Sequence, residues 1–173
     1  MAVVTDAAAG LRASQRGATV LQLRDRAATV RHLEGEAERL AAAAPAPVVV
    51  NSRADLALAA GAAGVHLPED DLPVSAARRL LGRERLVGRS VHSLAAAREA
   101  AGEGADYLVF GPVFATPSHP GRAGLGLEAL HRVCEETAPV PVLAIGGIDA
   151  ERAEACRRVG AAGFAAIRYF EAG

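Results

Sequence analysis

The chain has 173 residues, 51% of them hydrophobic, and a formal net charge of −1. That is enough apolar material for one domain with its own core, and it excludes a disordered chain. No apolar run approaches the ~20 residues of a membrane span, and no basic field is present to attract nucleic acid, so neither is an expected partner.

Strand-like apolar runs fall at 2–5, 19–23, 47–50, 64–67, 86–91, 107–110, 140–145 and 163–167. Helix-like stretches rich in Ala, Arg and Glu lie between them, among them 29–44, 74–81, 94–103, 127–136 and 149–159. This alternation predicts parallel strands with helical crossovers. The strands are continuous apolar runs, as expected where both faces are covered. Gly17-Ala18, Gly61-Ala62, Gly104-Ala105 and Gly160-Ala161 precede the second, fourth, sixth and eighth strands. A repeat at every second strand favours a closed (β/α)8 TIM barrel over an open sheet. The Gly-x-Gly-x-x-Gly fingerprint of a doubly wound sheet is absent after the first strand. One domain over 1–173 is expected. It would be a small barrel, with a brief first helix near 7–16 and only Arg168–Gly173 left after the last strand for an eighth. An uncovered wall usually finds a partner, so a homo-oligomer is expected.

The amino-terminal stretch Met1-Ala2-Val3-Val4-Thr5-Asp6 has no basic region and is not read as a signal peptide. Cys134 and Cys156 lie in helix-like segments without metal spacing, which suits reduced thiols and a cytoplasmic protein.

All 19 basic residues are arginine. Without lysine there is no Schiff-base chemistry, whereas arginine forks suit phosphate and pyrophosphate. A barrel carries its active site at the carboxyl ends of its strands, and polar groups gather there. Gln22, Arg24 and Arg26 alternate along the second strand and its extension and so share one face. Asn51 and Ser52 follow the third strand, and Ser90 and His92 close the fifth. Asp70 and Asp71 could hold Mg²⁺ or form an acidic turn before Pro73. The long loop from Gly111 to Gly126 supplies Thr116, Ser118, Gly124 and Gly126 as candidate phosphate donors. The seventh strand stops at Gly146-Gly147, and Asp149 can cap the helix behind them. Bare amides at a helix N-terminus suit a phosphate. Ile167 and Arg168 lie at the neighbouring strand end, where Arg168 either grips the phosphate or fills its place. His66, His92 and His119 lie at this rim as candidate acids or bases, while His32 and His131 fall on helical stretches and read as surface residues.

An ordered set of words resembles the thiamine-phosphate synthase / TenI superfamily along nearly the whole chain. It comprises Val4-Thr5-Asp6, Val20-Leu21-Gln22-Leu23-Arg24, Val50-Asn51-Ser52-Arg53-Ala54-Asp55, Gly64-Val65-His66-Leu67, Gly88-Arg89-Ser90-Val91-His92, Gly111-Pro112-Val113-Phe114 and Ala144-Ile145-Gly146-Gly147-Ile148. The resemblance implies a (β/α)8 barrel acting on thiamine precursors. Gln22, Arg24, Arg26, Asn51 and Ser90 would face a pyrimidine pyrophosphate. Thr116, Ser118, Gly147, Ile167 and Arg168 would face a thiazole phosphate, and Asp71 would be a Mg²⁺ ligand. The chain departs from the synthase pattern, which has Asp where Ser52 stands, Lys where Arg26 and His119 stand, Gly-Gln where Pro68-Glu69 stand and Ser where Arg168 stands. His66-Leu67-Pro68 looks like the TenI branch, which implies a thiazole tautomerase needing no metal. The histidine of that branch is replaced by Pro112, leaving His119 or His92 to take its role. The expected function is therefore a thiazole tautomerase. The alternatives are a Mg²⁺-dependent thiamine-phosphate synthase and a non-catalytic binder of thiazole or thiamine phosphate.

Overall fold

The computed structural model describes residues 1–117, 121 and 123–170. The strands are β1 (Ala2–Val4), β2 (Leu21–Leu23), β3 (Val48–Asn51), β4 (Gly64–Leu67), β5 (Leu86–Val91), β6 (Tyr107–Phe110), β7 (Val142–Ile145) and β8 (Gly163–Ala165). The helices are α1 (Ala7–Gln15), α2 (Val30–Ala43), α3 (Ala54–Ala59), α4 (Val74–Leu81), α5 (Leu94–Gly102), α6 (Gly126–Glu136) and α7 (Ala150–Arg158). All strand pairs are parallel and in sequence order. The ring closes where the Val3 amide donates to the Ala166 carbonyl at 3.0 Å and the Ala166 amide donates to Met1 at 3.1 Å. This is a small (β/α)8 barrel. The first helix has nine residues, and among the described residues no helix follows β8.

The Gly-Ala repeat has a physical cause. Each pair ends an odd-numbered helix, α1, α3, α5 or α7. The glycines have φ of 87°, 64°, 90° and 103°, a left-handed backbone that a side chain disfavours. The alanine amide after each then donates back to a carbonyl of the last helical turn, as Ala18 does to Ala13 and Ala161 to Cys156. This is the Schellman closure of a helix. The alanine is buried each time and turns the chain into the next strand.

Two cores follow from the pleat. One lies between sheet and helices and includes Leu21, Leu23, Val50, Leu67, Leu108 and Ala144. The other fills the barrel and consists of Met1, Val49, Tyr107, Val109 and Ala165. Because successive strand residues face opposite sides, the residues between the outward-packed leucines point into the barrel. Cys156 is buried in α7 and Cys134 half-buried in α6. Both thiols are pushed up by burial, Cys134 to about 11, which leaves them unreactive. Beside β8, Phe164, Tyr169 and Phe170 pack ring against ring, with centroids 4.8 to 6.1 Å apart, and Arg16, at the carboxyl end of α1, donates to the Phe170 carbonyl at 3.1 Å.

Candidate active site

The carboxyl ends of the strands open into one cavity of about 790 Å³. Its floor takes one side chain from each strand: Val3, Gln22, Asn51, His66, Ser90, Val109, Ile145 and Ala165. Gln22 is 5% exposed between two outward leucines, and its amide nitrogen donates to Asn51 Oδ1 at 3.0 Å. This bond holds the two carboxamides in fixed orientations under the mouth.

Past Leu23 the chain keeps strand pairing for one residue, since the Arg24 amide donates to Val4 at 2.8 Å. Asp25 then accepts from the Ala27 amide at 2.9 Å, making a turn that carries Arg26 over the same mouth. Burial, and next the charge of Arg26, hold the Arg24 guanidinium below its usual range. Among the described residues Arg24, Arg26 and Arg168 pair with no carboxylate. Two like charges held together over this floor, with no carboxylate partner among the described residues, can seat a multiply charged anion.

The opposite wall is the turn at β7. Gly146 has φ 100° and Gly147 has φ 64°. A Cβ on Gly146 would lie 2.5 Å from Pro112 Cβ, and one on Gly147 would lie 2.5 Å from the Ala115 carbonyl oxygen. Only glycine therefore satisfies both the backbone and the space. The loop after β6 is laced to this turn: the Val113 amide donates to Ile145 at 2.8 Å and the Phe114 amide to Gly146 at 3.2 Å. Asp149 accepts from the Arg152 amide at 2.8 Å and caps α7, as its position predicts. Arg152, which the sequence does not single out, donates to the Gly147 carbonyl at 2.8 Å and lies over the Phe114 ring. Its i+3 spacing from Asp149 is the one sequence trace of that role.

Thr116, Gly146, Gly147, Ile167 and Arg168 line the cavity as expected. Arg168 is an exposed rim residue with no hydrogen bond to Gly146 or Gly147, so the turn stays open toward the cavity. Gly124 and Gly126 are not brought to the cavity wall. Gly124 is pressed against the Val113 carbonyl, where a Cβ would come within 2.3 Å, and the Gly126 amide is used by Val113 at 3.0 Å. They shape the loop rather than offer donors. Ser118 and His119 lie outside the described residues.

The histidines separate by depth. His66, expected at the rim, is 2% exposed, and burial, then Arg24 and Arg89, push it down to about 3. It is neutral and forms part of the buried cavity floor. His92 lines the cavity, and its Nδ1 is hydrogen-bonded to Glu69, whose carboxylate also accepts from the His92 amide. Arg89 straps the same loop by donating to the Glu69 and Leu72 carbonyls at 2.6 and 2.7 Å. His32 and His131 are exposed on α2 and α6.

Of the paired acids, Asp70 lines the cavity and Asp71 does not. Asp71 accepts from Ser52 Oγ at 2.5 Å and from the Leu72 amide at 2.7 Å, with Ser52 held at φ 63°. Among the described residues no three His, Cys, Asp or Glu side chains converge as a metal cage. Mg²⁺ is commonly held by one or two carboxylates, with substrate phosphates and water completing its shell. Asp70, at the cavity wall, fits an ion that arrives largely on a pyrophosphate; Asp71, engaged by Ser52 and the Leu72 amide, stands behind it, and the pair does not fit an ion caged by protein alone.

A parallel eight-stranded barrel with arginines on one side of its mouth and a glycine turn on the other is a (β/α)8 barrel whose mouth is suited to phosphate. Within that class the chain belongs to the TMP-TENI family, described as thiamine monophosphate synthase, whose model matches residues 2–170. It is 42% identical to the thiamine-phosphate synthase of Chloroflexus aurantiacus over 95% of this chain and 82% of that protein. It is 45% identical to the thiamine-phosphate synthase of Gloeobacter violaceus over 88% of this chain, and spans 45% of that protein's length. The thiamine phosphate pyrophosphorylase of Pyrococcus furiosus superposes with a TM-score of 0.84 at 34% identity, over 96% of this chain and 84% of that one. FabK of Thermotoga maritima shares the fold at a TM-score of 0.78 and 18% identity. The superfamily expectation therefore holds, while the preference for the TenI branch gains no support: the Chloroflexus aurantiacus and Gloeobacter violaceus relatives both carry the synthase name. Among the described residues no helix is long and apolar enough to cross a membrane.

Proposed function

We propose that the chain is a thiamine-phosphate synthase. The observation that carries this reading is the presence of two separate anion grips in one cavity: Arg24 and Arg26 beyond β2, and the Gly146-Gly147 turn beyond β7. A thiazole carboxylate phosphate presents one phosphate and one carboxylate, whereas joining a pyrimidine pyrophosphate to a thiazole phosphate calls for a seat for a multiply charged pyrophosphate, which the paired Arg24 and Arg26 suit, and a second seat for a phosphate. The two histidines described at the site also disfavour the tautomerase. His66 is buried and its two ring nitrogens are both engaged, by Tyr107 and Ser90, and His92 hydrogen-bonds Glu69 through Nδ1.

In this reading Gln22, Asn51 and Ser90 seat the pyrimidine ring, and Arg24 and Arg26 hold its pyrophosphate. The methylene carbon–oxygen bond breaks with its electron pair leaving on pyrophosphate, and the thiazole nitrogen lone pair closes on the carbon. The arginines favour the departing charge more than the ground state, which lowers the barrier. The Gly147 side, with Thr116, orients the thiazole phosphate so that its nitrogen faces that carbon. Mg²⁺, when bound, would supply further neutralisation of the leaving pyrophosphate; Asp70 would hold it, with Asp71 joining only on release from Ser52. Self-association belongs to the same proposal, supported by the exposed Ile167 and Tyr169 beside β8, and light scattering tests it.

The deciding experiment incubates the protein with thiazole phosphate, pyrimidine pyrophosphate and Mg²⁺, together and in each omission, with products separated by mass. Thiamine phosphate and pyrophosphate formed only in the complete mixture support the synthase. Isomerisation of thiazole carboxylate phosphate without metal reinstates the tautomerase, and ligand binding without turnover points to a binder.

A further inference from the structure

From the barrel interior up to the cavity floor, a hydrogen-bonded chain runs from Tyr107 through His66 to Ser90. The Tyr107 hydroxyl lies 3.1 Å from His66 Nδ1, and His66 Nε2 lies 2.8 Å from Ser90 Oγ. The two rings stack with centroids 5.6 Å apart. The slot for Tyr107 is built by its register partner on β5: a Cβ on Gly88 would fall 2.0 Å from Tyr107 Cζ.

Proton accounting sets the polarity of this chain. Tyr107 is buried, and among the described residues His66 is the one hydrogen-bond partner of its hydroxyl. A buried O–H has to donate, and burial drives the phenol far above its ordinary range, so it keeps that proton. His66 is neutral and carries one N–H. If Nδ1 accepts from Tyr107, the proton is on Nε2 and is donated to Ser90 Oγ. The serine's own hydrogen is then released toward the cavity.

We propose that Tyr107 is a positioning residue: it fixes His66 as the Nε2–H tautomer and thereby makes the Ser90 hydroxyl a hydrogen-bond donor to the substrate. The group it meets is an acceptor. That it is a pyrimidine ring nitrogen rests on the synthase reading; the tautomer does not.

Long-range ¹⁵N–¹H correlation spectra of uniformly labelled protein read the tautomer directly. His66 in the unmodified protein is expected as Nε2–H, with its pattern lost on Tyr107→Phe, which keeps the ring and its packing. A His66 found as Nδ1–H, or unaltered in Tyr107→Phe, overturns the proposal whether or not the protein turns over. For activity, Tyr107→Phe is expected to raise KM for pyrimidine pyrophosphate about fivefold, one neutral hydrogen bond's worth, and to leave KM for thiazole phosphate alone. Ser90→Ala has the same effect, and the double variant adds nothing further, because both break one chain. Equal rises in both KM values, or full additivity, overturn the positioning role. Absence of turnover in the unmodified protein, with the Nε2–H tautomer present, would count against the synthase reading and not against this one.

Discussion

Arg24→Gln separates catalytic from structural roles by the sign of its effect on stability. Arg24 is half-buried, has no carboxylate partner among the described residues, and stands beside Arg26. Removing it leaves no orphaned acid and relieves a like-charge contact. Stability should therefore hold or rise slightly, within about 0.5 kcal/mol as for substitutions that break no buried network, or a Tm change of at most about 2 °C for a chain of this size. Binding should go the other way. A hydrogen bond to a charged group is worth about 1.5–3 kcal/mol, so KM for pyrimidine pyrophosphate should rise about 10- to 150-fold. The KM for thiazole phosphate should not move. Differential scanning calorimetry and initial-rate kinetics with each substrate varied in turn give both readouts. A Tm loss of several degrees that tracks the loss of activity would refute the reasoning, since it would make Arg24 part of the scaffold.

Gly147→Ala places a Cβ 2.5 Å from the Ala115 carbonyl oxygen at a φ of 64°. The strain should cost about 1–2 kcal/mol and raise KM for thiazole phosphate more than KM for pyrimidine pyrophosphate, as steady-state kinetics and thermal melts would show. Glu36 is a buried carboxylate on α2 that accepts from the Ala7 amide at the start of α1 at 2.7 Å and from Arg39. The Ala7 bond is the largest cause holding its pKa below the ordinary range. Its contribution is thus fully present above the usual carboxylate range and lost as pH falls through the depressed folded value. Glu36→Ala should lower stability by about 1–3 kcal/mol at neutral pH, and its deficit should shrink in urea melts taken below about pH 4.

Continuous apolar runs bounded by turn residues fix the strands well. β4, β5 and β6 begin and end where the residues predict. The Gly-Ala repeat is legible because a left-handed helix end needs a glycine whatever surrounds it. Short α3 is harder to see: six residues over Ala54–Ala59 give too few turns for a helical period. Within strands, the period of two placed Gln22 and Asn51 in the mouth. Past the strand ends that rule stops, and tertiary partners decide which way a residue points. Asp70 and Asp71 are adjacent in sequence, yet Ser52 holds only Asp71, and Arg89 and Glu69 fix the loop that presents Asp70. His66 reads as a rim residue from its place near a strand end, but the closed barrel sets it deep in the cavity floor against Tyr107. The three-residue word His66-Leu67-Pro68 suggested the TenI branch because branches differ in loop words. Those residues answer first to the stacking and strapping around them, so so short a word says little about chemistry.

The chain contains no tryptophan and two tyrosines, and the barrel has put them in opposite settings. Tyr107 lies sealed in the interior, whereas Tyr169 stands at the mouth, lining the cavity and packing on Phe164 and Phe170. The protein therefore carries its own pair of optical reporters. Emission from Tyr169 follows occupancy of the mouth and the state of the wall beside β8. Emission from Tyr107 follows the integrity of the barrel, and replacing either tyrosine by phenylalanine isolates the signal of the other.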